Sequence, residues 1–319
     1  MAISPRAYLF GTIVIAFMVT AGAWLWMKAP LLRSGRKPIV ANFITTTPVD
    51  SHRPLSSVAS SGTEIVMPPD PTLGEVLASN SSLSYSRRVA VIRKIAPASL
   101  KPAQVDFLRT YVVDPAPQQN LSSGEALALK NEVLVLLCKY PGGEVVTASL
   151  LHDLYTDKNA NTDLRDYALQ HLAGLVERNP AIGWSTHWLA IDGSNPAHAA
   201  TALIHLSGLQ RVGSLSVTDH QRLEKAALKL ATDPAVPASS RATALLVCAR
   251  LKSATACSLA MGLAQSTDAA VPLRIAAIAA LGDLAKDAES RKLLMALAED
   301  PEIRLHIPAK AALKKLSFD

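Results

Sequence analysis

Between Ser266 and Leu316 the chain writes the same short text twice. The first copy reads Thr267-Asp268, then Ala277, Leu281 and Leu284; the second reads Glu299-Asp300, then Ala309, Leu313 and Leu316. The offsets from the aspartate are the same in both. An alanine, an apolar residue four on and another three further share one helical face, so each copy is a turn that launches a helix with a buried stripe. A unit of this size cannot shield that stripe alone, and the chain must therefore lean one copy on the next.

Earlier copies are legible with the same template. Thr232-Asp233 is followed by Ala244, Cys248 and Leu251, and Thr156-Asp157 by Ala168, Leu172 and Leu175, with two extra turn residues in both. Asp192 leads to Ala202, Leu206 and Leu209, and Asp114 opens a looser copy before Val133 and Leu137. The aspartates fall at 114, 157, 192, 233, 268 and 300, intervals of 43, 35, 41, 35 and 32 residues, in the range of helical-hairpin repeats. An Asp at a helix end accepts backbone N–H groups, and Pro234, Pro237, Pro272 and Pro301 stop or start helices without losing a needed donor. Read this way, 73–319 holds about fourteen short helices, or seven hairpins. Aromatic residues make up only 5% of the chain while Ala and Leu abound, which favours helices packed through small side chains over an all-β fold.

The pattern resembles HEAT repeats, within the broad armadillo-like class. The resemblance rests on Asp268 to Leu284 and Asp300 to Leu316, and on an Arg early in the second helix, where Asp268 is followed by Arg274, Asp157 by Arg165 and Asp233 by Arg241. His306 and Ala199 stand at that place after Asp300 and Asp192. The resemblance implies an all-α fold, a right-handed α-solenoid of about seven HEAT-like hairpins; it says almost nothing about function.

Upstream the text changes. After a flank of 1–8, residues 9–27 read LFGTIVIAFMVTAGAWLWM without a charge, between Arg6 and Lys28, long enough as a helix to cross the hydrocarbon of a bilayer. Trp24, Trp26 and Lys28 suit the membrane boundary, and Ala21-Gly22-Ala23 offers the competing reading of a cleaved signal peptide. A retained single-pass anchor is the expectation. Positive charge after the span favours a cytoplasmic C-terminal side, whereas anchors of this kind mostly export the domain they carry; the balance tips slightly to an exported domain. Residues 28–72, rich in Pro, Ser and Thr, read as a disordered tether. Residues 73–319 hold 26 Lys/Arg against 23 Asp/Glu, no excess that would draw them to nucleic acid.

Candidate chemistry is sparse. Cys248 and Cys257 lie nine residues apart across a hairpin turn, so a disulfide is one expectation and core thiols the other. No His-Glu-x-x-His, C-x-x-C, Gly-rich phosphate loop or G-x-S-x-G occurs. His171 and His205 are repeat-equivalent and expected near each other, without metal, and no cofactor or catalytic set is expected. Trp184, His187 and Trp188 stand out from the Ala/Leu background, the indoles at i and i+4, as core fillers or as an anchor for a partner. The function expected is a membrane-held scaffold binding a protein or peptide on a concave helical surface. The rivals are a hydrolase or lyase-like enzyme with its site on solenoid loops, and an architectural spacer.

Overall fold

The structure, a computed structural model, describes residues 71–116, 118–211, 213–285 and 287–316; the apolar segment 9–27 and nearly all of 28–72 lie outside them. Every regular element among the described residues is helical. Seven pairs follow in order: α1 (Leu73–Leu77) with α2 (Tyr85–Lys94), α3 (Pro102–Val113) with α4 (Ser123–Cys138), α5 (Glu144–Thr156) with α6 (Thr162–Arg178), and α7 (Ser185–Asp192) with α8 (Pro196–Arg211). The last three are α9 (Val217–Thr232) with α10 (Ala238–Arg250), α11 (Ala254–Gln265) with α12 (Val271–Leu284), and α13 (Ala288–Ala298) with α14 (Ile303–Leu316). None of the described helices is long and apolar enough to cross a membrane.

Each first helix packs on the second helix of its own hairpin. The second helices also pack on one another in succession, α2, α4, α6, α8, α10, α12, α14, whereas successive first helices share no comparable contact. This is a helical-repeat arrangement, and it follows from the doubled apolar stripe: a second helix must cover both its own partner and its neighbours in the row.

The turns are closed locally by the predicted aspartates. Asp114, Asp157, Asp233 and Asp300 each accept the N–H two residues on, at 2.7–2.9 Å. At the Asp268 turn Ser266 does this work instead, accepting from Ala269 N at 3.2 Å. The arginines of the repeat do not pair with these aspartates. Arg165, Arg241 and Arg274 instead donate through Nε to the carbonyl ten residues earlier, that of Tyr155, Ala231 or Ala264, at 2.8, 3.0 and 3.4 Å. Each thus ties the start of a second helix to the last turn of the first, satisfying a carbonyl with no partner inside the helix. Arg88 reaches Ala78 O over the same interval, and Lys130 reaches Asp114 O from the matching place on α4.

Aligning the second helices on Val133, Ala168, Ala202, Ala244, Ala277 and Ala309 exposes the logic of the stack. One residue on stand Leu134, Leu169, Leu203, Leu245 and Ile278, all buried, but in the last hairpin the exposed Lys310. Five on come Ala173, Ser207, Ala249 and Gly282, again buried, and then the exposed Lys314. A Cβ at Gly282 would meet Cα and Cβ of Ala312 at 3.0 Å, so these small residues are where one second helix lies against the next. The last hairpin turns lysines outward at the corresponding places.

Candidate functional site

Two residues past this aligned Val or Ala, the second helices carry Val135, Gln170, Ile204, Leu246, Ala279 and Ala311. These positions are repeat-equivalent and therefore line up along one side of the row. Ile204 and Leu246 are each 41% exposed, Ala279 and Ala311 are exposed, and Val135 is half-buried. Gly208, Ala242 and Thr243, small or short groups, are half-buried on the same helices. The margin is charged: Arg250 donates to Ser207 Oγ at 2.7 Å, and Lys315 pairs with Asp283. At the other end of the row Arg93 and Glu132 form a bridge between α2 and α4. The face is thus polar over α2 to α6 and apolar with small side chains over α8 to α12.

Below this face the stack contains a polar insertion. One residue further along the second helices stand Leu136, Val247, Ala280 and Ala312, all buried, but α6 and α8 have His171 and His205 there. His171 Nε2 meets Asn131 Oδ1 at 2.7 Å, on the preceding second helix. The two histidines have different partners: His171 bonds across to the preceding hairpin, whereas His205 bonds within its own. Its Nδ1 lies 3.2 Å from Nε2 of His187, on the first helix of its own hairpin, with ring centroids 5.3 Å apart. Toward α6 it feels the Asp166 carboxylate, which accepts from Thr201 Oγ1 and Gln170 Nε2 at 2.7 Å each.

Of the tryptophan-histidine trio, His187 is fully enclosed, while both indoles are half-buried. The helix that carries them starts only at Ser185, since Gly183 at φ +74° ends a 3₁₀ turn (Pro180–Ile182) and Trp184 becomes the cap of α7. Trp184 packs edge-on to His187, centroids 4.7 Å apart. Trp188 has the Arg222 guanidinium 4.3 Å above its ring, held there by an ion pair with Asp192 at 2.6 Å. The trio therefore presents a covered indole, a core imidazole and a capping indole.

Burial sets the electrostatics of the pair. It holds the His187 pKa down to about 3, helped by His205, and that of His205 down to about 4, with Asp166 opposing. Both rings are neutral near pH 7. His187 Nδ1 has no partner at hydrogen-bonding geometry; the Leu169 backbone acts on it only weakly. His171 is also shifted down by burial.

The three cysteines are free thiols. Cys248 is fully buried, which lifts its thiol to about 12, and Cys257, half-buried, has its Sγ 3.8 Å from Ser290 Oγ on the following hairpin. Among the described residues no three of His, Cys, Asp and Glu are grouped to hold a metal ion. Two surface depressions, of about 240 and 280 Å³, are lined by Leu215, Ser216, Val217 and His220 and by Asp106, Arg109, Thr110, Val113 and Leu150, away from the histidine pair.

Part of this arrangement is hard to see in the sequence. Arg88 and Lys130 lie in loosely matching copies, so their shared reach to a helix-end carbonyl had no template; the fixed interval of three residues before Val91 and Val133 is the signal that finds them. Thr201, Gln170 and Arg222 carry no motif.

No family model matches the chain, and no curated protein matches it. Among solved structures it is similar to human deoxyhypusine hydroxylase in complex with glycerol, at 17% identity over 77% of this chain and 95% of that one, with a TM-score of 0.33. At that score neither fold nor activity passes from that protein to this one.

Proposed function

We propose that this chain is a helical-repeat scaffold that binds a protein or peptide partner along the row of its second helices. The observation that carries the reading is the alignment of Ile204, Leu246, Ala279 and Ala311, exposed at equivalent positions of consecutive second helices while Leu203, Leu245, Val247, Ile278, Ala280 and Ala312 beside them are buried. Isoleucine and leucine on such a face expose apolar area that a partner would remove from water, at about 25 cal/mol per Å². A regular spacing of apolar side chains over small neighbours suits a long, side-on contact rather than a small-molecule pocket. The closer packing of second helices than of first helices supports a curved array with this face on the inner, concave side.

The partner is met near a membrane in this reading. Residues 9–27 serve as a single-pass anchor and 28–72 as a tether whose reach is roughly 35–40 Å if flexible, with the domain exported. Capture of the full-length protein from membranes, followed by mass spectrometry, tests both parts. Wild type is expected to retain a polypeptide that the Ile204→Asp/Leu246→Asp variant loses at unchanged helicity, and the peptide spanning 9–27 is expected among the fragments. Equal retention by the double variant contradicts the binding face, and an N-terminus beginning at Trp24 contradicts the retained anchor.

A further inference from the structure

Four separate features of the structure converge on the hairpin of α7 and α8. Its cation tether is missing: where Arg165, Arg241 and Arg274 bridge their hairpins, α8 has Ala199, buried and unable to reach the end of α7; among the internal hairpins this place carries Arg or Lys otherwise, and only the last hairpin, with His306, departs as well. Its first helix has 8 residues, against the 11 to 16 of α3, α5, α9, α11 and α13, the other first helices inside the row; only α1 at the row's start, with 5, is shorter. Its place in the stack carries a histidine, as α6 does with His171, but here the ring meets a second histidine of its own hairpin, where Leu136, Val247, Ala280 and Ala312 pack elsewhere. Finally, the apolar core divides there, one cluster closing at Ala202 and the next opening at Leu203, with Trp184 and Ile191 touching both.

We infer that this fourth hairpin is the joint of the array, the place where two better-braced blocks, α1 to α6 and α9 to α14, change their mutual angle, and that the charge on the His187–His205 pair governs how readily it opens. The chemistry is direct. Two neutral rings at 3.2 Å share one hydrogen bond; a proton added to either leaves a cation in a largely buried site with one unpartnered nitrogen. A doubly protonated pair would place two like charges at that distance, and only opening relieves them.

The groups that face the joint decide the sign. From α6 comes the Asp166 carboxylate, which favours protonated His205 and lies at the edge of the site. From α5, His152 Nδ1 meets Thr186 Oγ1 of α7 at 2.8 Å; from α9, Arg222 covers Trp188 and pairs with Asp192; from α10, Arg250 bonds Ser207 of α8. On α8 itself His198 contacts the Thr162 carbonyl at 3.1 Å. One carboxylate that approaches the pair, Asp166, is thus set against burial and against cations on the far sides. Since burial disfavours charge in the closed form, closure is strongest above the ordinary histidine pKa of about 6.5 and weakens as pH falls below it.

The joint lies in mid-row, so its opening changes the spacing between Gln170 on α6 and Leu246 on α10, on the proposed binding face. The inference itself does not depend on that reading, because its test needs no partner. Hydrogen exchange by mass spectrometry on the full-length chain, expressed as protection relative to the unstructured rate, gives the readout. At pH 7.5 protection in α7 and the first half of α8 is expected to be at least about tenfold below that in α6, α10 and α12, and to fall further at pH 5.5 while those helices hold. Ala199→Arg, supplying the missing tether, is expected to raise protection in α7 about fivefold, the worth of one hydrogen bond. Should that variant not fold, His187→Leu/His205→Val is the second test, expected to remove the pH dependence. Equal protection of α7 and α8 with their neighbours in wild type at both pH values overturns the joint, and pH dependence surviving in the histidine variant overturns the role of the pair.

Discussion

Arg88 is a fully enclosed guanidinium whose acceptors are carbonyls and an amide. Its nitrogens donate to Ser81 O at 2.7 Å, Leu83 O at 2.9 Å, Gln118 Oε1 at 3.2 Å, Gln119 O at 3.3 Å and Ala78 O at 3.5 Å. The fixed fork of an arginine fits this spread of directions, and a lysine would not. The same residue also ties the loop after α1 to the loop after α3, so its loss strands several buried carbonyls together. Arg88→Met is expected to cost about 3 kcal/mol, since each orphaned buried acceptor carries a penalty of about 1–3 kcal/mol and water can reach some of them. Urea unfolding followed by circular dichroism checks this; a change below about 1 kcal/mol would mean that the loops reorganise around the gap. At His171, where the stack admits a polar group, Asn131 stands within hydrogen-bonding distance, whereas Tyr111 Oη and Ser253 Oγ are buried without such a partner.

The hairpin is the element on which stability depends, and its second helix is the demanding half. Gly282 has no space for a side chain against the α14 backbone, so Gly282→Val should destabilise by about 1–3 kcal/mol by overpacking, more than Gly262→Val, where a Cβ meets nothing within 4 Å. Thermal unfolding of the two variants decides it, and equal losses would mean that helix propensity, not close approach, sets the cost. This small position was open to reading, since Ala173, Ser207, Ala249 and Gly282 recur five residues after Ala168, Ala202, Ala244 and Ala277, but nothing in the text marks it, rather than the earlier alanine, as the point of closest approach. The number of helices was legible because the apolar period and the Asp turns agree, and the structure adds the Ser122 and Asn161 caps at two of their starts. The start of α7 was not, since Trp184 and Trp188 at i and i+4 suggested a helix running through both, while the positive φ of Gly183 outweighed that pattern. Likewise the spacing of Asp and Arg was visible, but not that they serve separate backbone groups. Nor was the His187–His205 contact, since residues on the two helices of one hairpin have no fixed interval in the text.

At the scale of the molecule, hairpins without private interiors yield a long face whose chemistry is written once per repeat. Leu134, Leu169, Leu203, Leu245 and Ile278 are buried at one repeat offset, whereas the hairpin of α13 and α14 has the exposed Lys310 there. In the proposed reading the surface for recognition is the side of the row, polar toward α2 and apolar over α8 to α12. The site was legible only as a surface. Its exposed positions fall at one repeat offset, but their exposure depends on how closely the second helices approach, which no sequence spacing states. Apolar residues also stand out on the first helices, among them Val145 at 66% and Val217 at 76% exposed, and they supply an internal comparison. Photo-crosslinking in native membranes measures the difference most directly, with benzoylphenylalanine placed singly at Ile204, Leu246 and Ala279 on the row and at Val145 and Val217 outside it. The account predicts one shared adduct from the three row positions and none from the other two; an adduct from Val145 or Val217, with the row silent, would contradict it.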